Sequence, residues 1–367
     1  MKINALLVLA VAVLVSGGVL TGFGGDSDAA GPLTVIDGEG NEFKYSKPAD
    51  HVVTMGFAST LTVVELGAID KIVGVDRYST YDYKKDERLK DLKAADLGSY
   101  YSASNNDLIV ATLVQWVEEK KMSLDDTVIL TAYSNSKVLR TALAEHGFTH
   151  VLVYLTVTDY DQIVDFVNDV SIAVTGGTSA VVNDMKAVRD VVRDGVAGVS
   201  EKSKGIAVWY TASTGEFTVG NTGSIAVSLI ESAGGDNPAR DPSVSTPTYG
   251  SVATILDLVS QDRDTVIFLS EVYINNNHTV ADFRNEALGG DQSVKVVVLK
   301  DEWNNYCPGA ADGLWAVAST LYPELFSGEA PTADAGSDEF PILYMAVGAA
   351  IVVILLAIVA VYIMRRP

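Results

Sequence analysis

The residues able to carry chemistry are few and poorly assembled for catalysis. Four histidines are present, His51, His146, His150 and His278, with a single cysteine, Cys307. His146 and His150 stand four apart, a spacing that can place two metal ligands on one helix face, but Gly147 falls between them and should break the helix. Neither the H-E-x-x-H zinc motif nor the G-x-S-x-G nucleophile elbow occurs. Gly220-Asn221-Thr222-Gly223-Ser224 before an apolar run can cradle an anion at a helix N-terminus, yet it lacks the lysine of a phosphate loop. Cys307 has no histidine close in sequence, and one thiol cannot staple a fold, so stability must come from packed cores. The sequence therefore implies no enzyme, no resident metal and no cofactor. The 47 acidic against 26 basic residues, a net charge of −21, exclude nucleic acid as a partner and suit a hydrated exterior surface.

The elements that would position a binding site are clearer. His51–Tyr78 reads as a buried strand over Val52–Met55, a small-residue turn through Gly56 and Ser59, and a helix to Leu66 ended by Gly67. A second strand follows over Ile72–Val75. A strand, a crossover helix and another strand build a parallel sheet, whose ligands bind beyond the strand C-termini. Here those ends are Gly56–Ser59 and Asp76–Tyr81. A hairpin over Leu33–Ile36 and Glu42–Tyr45 precedes this unit. Helices over Asn106–Lys121, Lys137–Glu145 and Asp159–Val174, with strands over Thr127–Leu130 and Val151–Tyr154, extend the α/β alternation. Thr178 then caps one long helix running to Val199, with Val181, Met185, Val188, Val192, Val196 and Val199 on a single apolar face. The alternation restarts with strands over Gly205–Tyr210, Thr265–Leu269 and Val294–Leu299, and with helices over Ser224–Ala233, Tyr249–Leu258, Val280–Ala287 and Gly313–Leu321. The fold class expected is α/β: two α/β lobes, residues 31–176 and 201–327, joined by a single connecting helix over 177–200.

Both ends are apolar. Residues 1–30 carry Lys2, an apolar run and a small-residue exit, the layout of a secretory signal peptide. Phe340–Met364 has no charged side chain and exceeds the roughly 20 residues that cross hydrocarbon. Arg365 and Arg366 follow it and acids precede it, which places the large middle region outside the cell on a single-pass anchor. Residues 328–339 are small and acidic, as a solvated tether should be. Asn277-His278-Thr279 is a glycosylation sequon.

The hairpin, His51–Tyr78, the long helix, Gly220–Asn237 (GNTGSIAVSLIESAGGDN) and Pro323-Glu324-Leu325-Phe326 occur in the order found in one family. Over residues 33–327 the chain resembles the metal-chelate-binding proteins of ABC importers, which capture iron–siderophores, haem or vitamin B12. The resemblance implies a ligand cleft between the lobes, an ABC permease with its ATPase as partners, and a siderophore, corrinoid or haem as cargo. Such a cleft is lined by rings and a few polar groups. Phe57, Ser59, Arg77, Tyr78, Tyr100, Tyr101 and Tyr133 are the first-lobe candidates. Trp209, Tyr210, Arg240, Tyr249, Tyr273, Trp303 and Tyr306 are those of the second. Either arginine would pair with a carboxylate or catecholate of the ligand. The resemblance also places a permease-docking acid on each lobe, at Asp107 and Glu231. A haem-binding member of the same class, or an anchored ligand sensor or adhesin, is the alternative.

Overall fold

The computed structural model describes residues 33–101, 103–132, 136–154 and 159–333. The expected signal peptide and membrane helix lie outside them, as does Tyr133. Among the described residues no helix is long and apolar enough to cross a membrane.

In chain order the first half comprises β1 (Leu33–Ile36), β2 (Glu42–Tyr45), β3 (His51–Met55), α1 (Phe57–Glu65), β4 (Ile72–Val75), α2 (Tyr81–Lys84), β5 (Ala95–Asp96), α3 (Asn106–Glu118), β6 (Thr127–Ala132), α4 (Ser136–Ala144), β7 (Val151–Tyr154) and α5 (Tyr160–Thr175). After α6 (Ala180–Val196) come β8 (Gly205–Thr211), β9 (Glu216–Gly220), α7 (Ile225–Ser232), β10 (Thr248–Tyr249), α8 (Val252–Gln261), β11 (Val266–Ser270), α9 (Glu271–Asn275), α10 (Val280–Ala287), β12 (Val296–Leu299) and α11 (Ala310–Leu321).

The strands form a hairpin and two five-stranded sheets, ordered β5-β4-β3-β6-β7 and β10-β9-β8-β11-β12. The first sheet is parallel throughout. In the second, β8, β11 and β12 are parallel, while β9 and β10 run antiparallel at one edge. That edge departs from the sequence expectation. Tyr249 starts no helix but lies in β10, paired with Val219 of β9, and α8 begins at Val252. Thr248, which could cap the expected helix, is instead paired with Gly220 in the sheet, and Ser251 and Thr254 form a reciprocal capping box further on. The hairpin is fastened to the first sheet through Asp37 in its turn. This buried carboxylate accepts from the backbone of Glu39 and Asn41, from Arg140 at 3.1 Å, and from the backbone of Val153 in β7.

Alternation along the strands sorts side chains between cores. Val53, Met55 and Ile129 join a private core on one face of the first sheet, with Leu113 and Leu139 of α3 and α4. Ile206, Val208, Ile267 and Leu269 do the same for the second sheet, with Ile255 and Phe283 of α8 and α10. The opposite faces of both sheets, through Val52, Val128 and Leu130 and through Ala207 and Phe268, contribute to one common core. That core also takes in side chains of α1, α5, α6, α7 and α11. Phe166 of α5 sits in it, edge-on to Tyr154 at 4.5 Å and to Tyr306 of the second half at 5.4 Å.

The helix between the two sheets is shorter than expected. Ser179, not Thr178, caps it, and Thr178 bonds instead to Asn168 at 2.8 Å. Val182, Met185, Val188 and Val192 are its buried stripe, so Val182 replaces Val181 in the inner row. It packs on α5, α7 and α11. The separation of the sheets is therefore fixed by a five-helix core rather than by one rod.

A shared core ties both halves into one cooperative unit. Phe166→Ala should cost about 3–5 kcal/mol and lower a single unfolding midpoint, followed by near-UV signal and fluorescence in denaturant. Two separated transitions would contradict a common core.

Candidate functional site

The candidate site is built at the C-terminal ends of the parallel strands, where backbone amides and side chains are released from the sheet. Gly56, at φ 120°, turns the chain from β3 into α1, a conformation that a side chain would strain. Its N–H donates to Asp76 at 3.0 Å, and the buried Asp76 carboxylate also accepts from the Tyr78 amide and the Ser79 hydroxyl. One carboxylate thus joins the ends of β3 and β4 and sets the positions of Phe57 and Tyr78. Burial raises the Asp76 pKa, and these three donors oppose the rise.

On this first rim the rings form a connected patch. Tyr78 meets Tyr83 edge-on at 5.0 Å and Tyr101 at 5.2 Å. Tyr83 and Tyr101 are 57% and 46% exposed, an unusual solvent share for rings and suited to a contact surface. Phe57 is half-buried against the common core, and the Lys84 ammonium lies 4.1 Å from its ring centroid. Arg77 is exposed, with Nε 3.6 Å from Asp96. Tyr100 is a correction. It is fully buried and donates its hydroxyl to the Ala132 carbonyl at 2.7 Å, so it supports the patch from beneath rather than lining it. Ser59 is buried within α1.

The second rim divides by strand parity. Trp209, on β8, turns toward the common core and Tyr210 toward the private one. Tyr273 is a further correction: it has no exposed surface, stacks on His278 at 4.4 Å, and donates its hydroxyl to Glu286 at 3.0 Å. Tyr249 donates to the Ala239 carbonyl at 2.7 Å. Tyr306 is buried against Phe166 in the common core. Trp303, after β12, is half-buried at that core with the Lys300 ammonium 4.9 Å from its ring. Arg240 is exposed and pairs with Glu231, the expected docking acid, at 3.3 Å. Asp107 is exposed in the first turn of α3 and lines a groove of about 480 Å³ between α3 and α4.

Four buried polar atoms at or behind these rims lack a hydrogen-bond partner: Ser59 Oγ, Trp209 Nε1, Trp303 Nε1 and Asn304 Oδ1. A buried unpaired group costs about 1–3 kcal/mol, a cost that the packing around these rims carries.

Arg88, which the sequence reading passed over, bridges the rims. Its guanidinium lies 2.7 Å from Glu65, 2.7 Å from Asp86 and 2.8 Å from Glu302, the last on the loop after β12. Burial, reinforced by Glu302 and Asp312, pushes Glu65 up to about 7 despite the arginine. Tyr81, Tyr83 and Lys84 were also passed over. The tyrosine spacing Tyr78, Tyr81, Tyr83 was their visible signal. Gly147, at φ 87°, ends the helical turn as expected, and His150 stacks on Tyr45 at 4.5 Å. Among the described residues no group of three or more His, Cys, Asp or Glu could hold a metal ion.

No family model matches the chain. A cobalamin-binding protein of Halobacterium salinarum is 26% identical over 241 residues, and the chain spans 58% of that relative's length. Among solved structures, the periplasmic vitamin B12 binding protein of Vibrio cholerae is 20% identical, with a TM-score of 0.55 over 75% of this chain and 98% of that one. The periplasmic haem binding protein of the same organism gives 15% identity and a TM-score of 0.54, over 75% of this chain and 100% of that one. Helicobacter pylori CeuE, solved with nickel and histidine, gives 18% and 0.59, over 80% of this chain and 89% of that one. The chain thus has the α/β fold of periplasmic binding proteins, and these relatives are binding proteins, not enzymes.

Glu65 gives the site a pH signature. The folded chain keeps a proton that the unfolded chain releases near 4.5, so this stabilising contribution is full below that value and is lost as pH rises through about 7. Glu65→Gln should remove the loss. Its unfolding midpoint relative to the parent should rise between about pH 5 and about pH 8, and a constant difference would refute the assignment.

Proposed function

We propose that the chain is an extracytoplasmic solute-binding protein of an ABC importer that captures a corrinoid of the cobalamin type. The observation that carries the choice of cargo is the state of the rim cations. Arg77 faces Asp96, Lys85 faces Asp82, Arg88 is shared by three carboxylates, and Lys300 lies 3.9 Å from Glu302. Lys84 lies over Phe57. A ferric catecholate or the two carboxylates of haem would meet matched cations and surplus acid, which desolvation penalises. A corrinoid presents amide groups instead. Its amides need no cation, and its flat ring system suits the exposed rings of Tyr83 and Tyr101.

In this reading the common core holds a largely preformed cleft between the lobes. Phe57, Tyr78, Tyr81, Tyr83 and Tyr101 bound it on one side, with Trp209 and Trp303 on the other. Asp107 and Glu231 are the permease-docking acids, residues 1–30 direct export, and 340–364 anchor the chain in the membrane. The cobalamin-binding relative supports this cargo over an iron–siderophore or haem. Display of the ligand by an anchored sensor or adhesin uses the same cleft without a permease.

The full chain should bind one equivalent of cyanocobalamin with quenching of tryptophan fluorescence. Trp209→Ala and Trp303→Ala should each weaken it about tenfold, the equivalent of ~1.4 kcal/mol. Tighter binding of a ferric catecholate or of haem than of cyanocobalamin would overturn the cargo assignment.

A further inference from the structure

The expected tether does not begin where its composition suggests. After α11 the chain doubles back along α6. Phe326 meets Trp315 edge-on at 5.6 Å and lies so close to Gly195 that a Cβ there would stand 2.7 Å from the ring. Trp315 Nε1 donates to the Gly328 carbonyl at 3.1 Å, and the Ala333 N–H donates to Asp184 Oδ1 at 2.6 Å. Residues 326–333 therefore form a strap running from the C-terminal to the N-terminal half of α6, and only six residues separate Ala333 from the apolar run that starts at Phe340.

Those residues reach about 25 Å at full extension. A compact chain of this size is roughly 50 Å across. The bilayer must then lie near the face from which the strap departs. That face belongs to α6, which packs on α5, α7 and α11, with the common core between those helices and the sheets. The ends of α6 sit at strand N-termini, with Gly176 against Pro48 before β3 and Val196 against Gly234, whose carbonyl accepts from the Tyr322 hydroxyl beside Ser203 before β8. The rims, by contrast, stand at the strand C-termini. The outer side of α6 is hydrated rather than lipid-seeking. Arg189 pairs with Asp161 and Asp190, and Arg193 with Asp190 and Asp194.

We propose that α6 and the strap form the bilayer-proximal face, so that the ring-bearing rims look away from the surface of the membrane that anchors the chain. The inference rests on the anchor read from residues 340–364. Capture then occurs facing outward, and any transfer into the same membrane requires the domain to roll on its tether.

The test uses the full chain in phosphatidylcholine vesicles containing a lipid with a nitroxide headgroup. Asn183→Cys on α6 and Asp82→Cys on the first rim carry a fluorophore in turn; both positions are exposed, while native Cys307 is buried and stays unlabelled. The label at 183 should be strongly quenched and the label at 82 little changed. Inserting a glycine–serine segment of about twenty residues after Asp334, which adds roughly 25 Å of mean reach, should abolish the difference. Equal or stronger quenching at 82 with the native tether overturns the orientation. A chain that leaves the vesicles on alkaline washing overturns the anchor itself, and the orientation with it.

Discussion

The molecule depends on apolar side chains from two sheets meeting in one core. Each sheet has a private core on its outer helices, but the faces carrying Val52, Val128, Ala207 and Phe268 are covered by a common set of helices. Separating the halves would expose Phe166, Tyr306 and the inner row of α6 to water, at about 25 cal/mol for each square ångström of apolar surface. A hinge needs a boundary where few contacts cross. Here the boundary is itself a core, so the two halves are held at a set spacing.

Charge reinforces that arrangement at the rim. Arg88 is one cation among Glu65, Asp86 and Glu302, drawn from both halves. Partly buried pairs of this kind add little net stability, but removing one member leaves the others uncompensated. The arrangement therefore specifies alignment more than strength. It also matches Arg88 with acid at the rim, as Asp96 does Arg77 and Glu302 does Lys300, while Lys84 rests on the Phe57 ring.

Much of the fold was legible in sequence because its signals are local. The bounds of β1, β2, β4, β7 and α10 follow from alternation, turn residues and caps alone. The β9–β10 edge was missed because Glu216–Gly220 and Thr248–Tyr249 are short and find partners only in space. The candidate site was less legible. Exposed Tyr101 and buried Tyr100 are chain neighbours, and nothing in their types says which one the sheet will cover. Arg240 and Arg88 make the same point for charge. Arg240 reads as an available cation until the fold sets Glu231 beside it, and Arg88 gives no sign in sequence of the carboxylates it will join.

The position of Cys307 has a consequence for how the chain meets oxidants. The thiol is wholly enclosed beside the Glu302 carbonyl, and burial drives its pKa far upward, so almost no thiolate exists to act as a nucleophile. Peroxide and mercurials can reach it only after the common core opens. The single sulfhydryl is therefore a silent built-in gauge of integrity, inert while the two halves stay married and reactive as soon as they part.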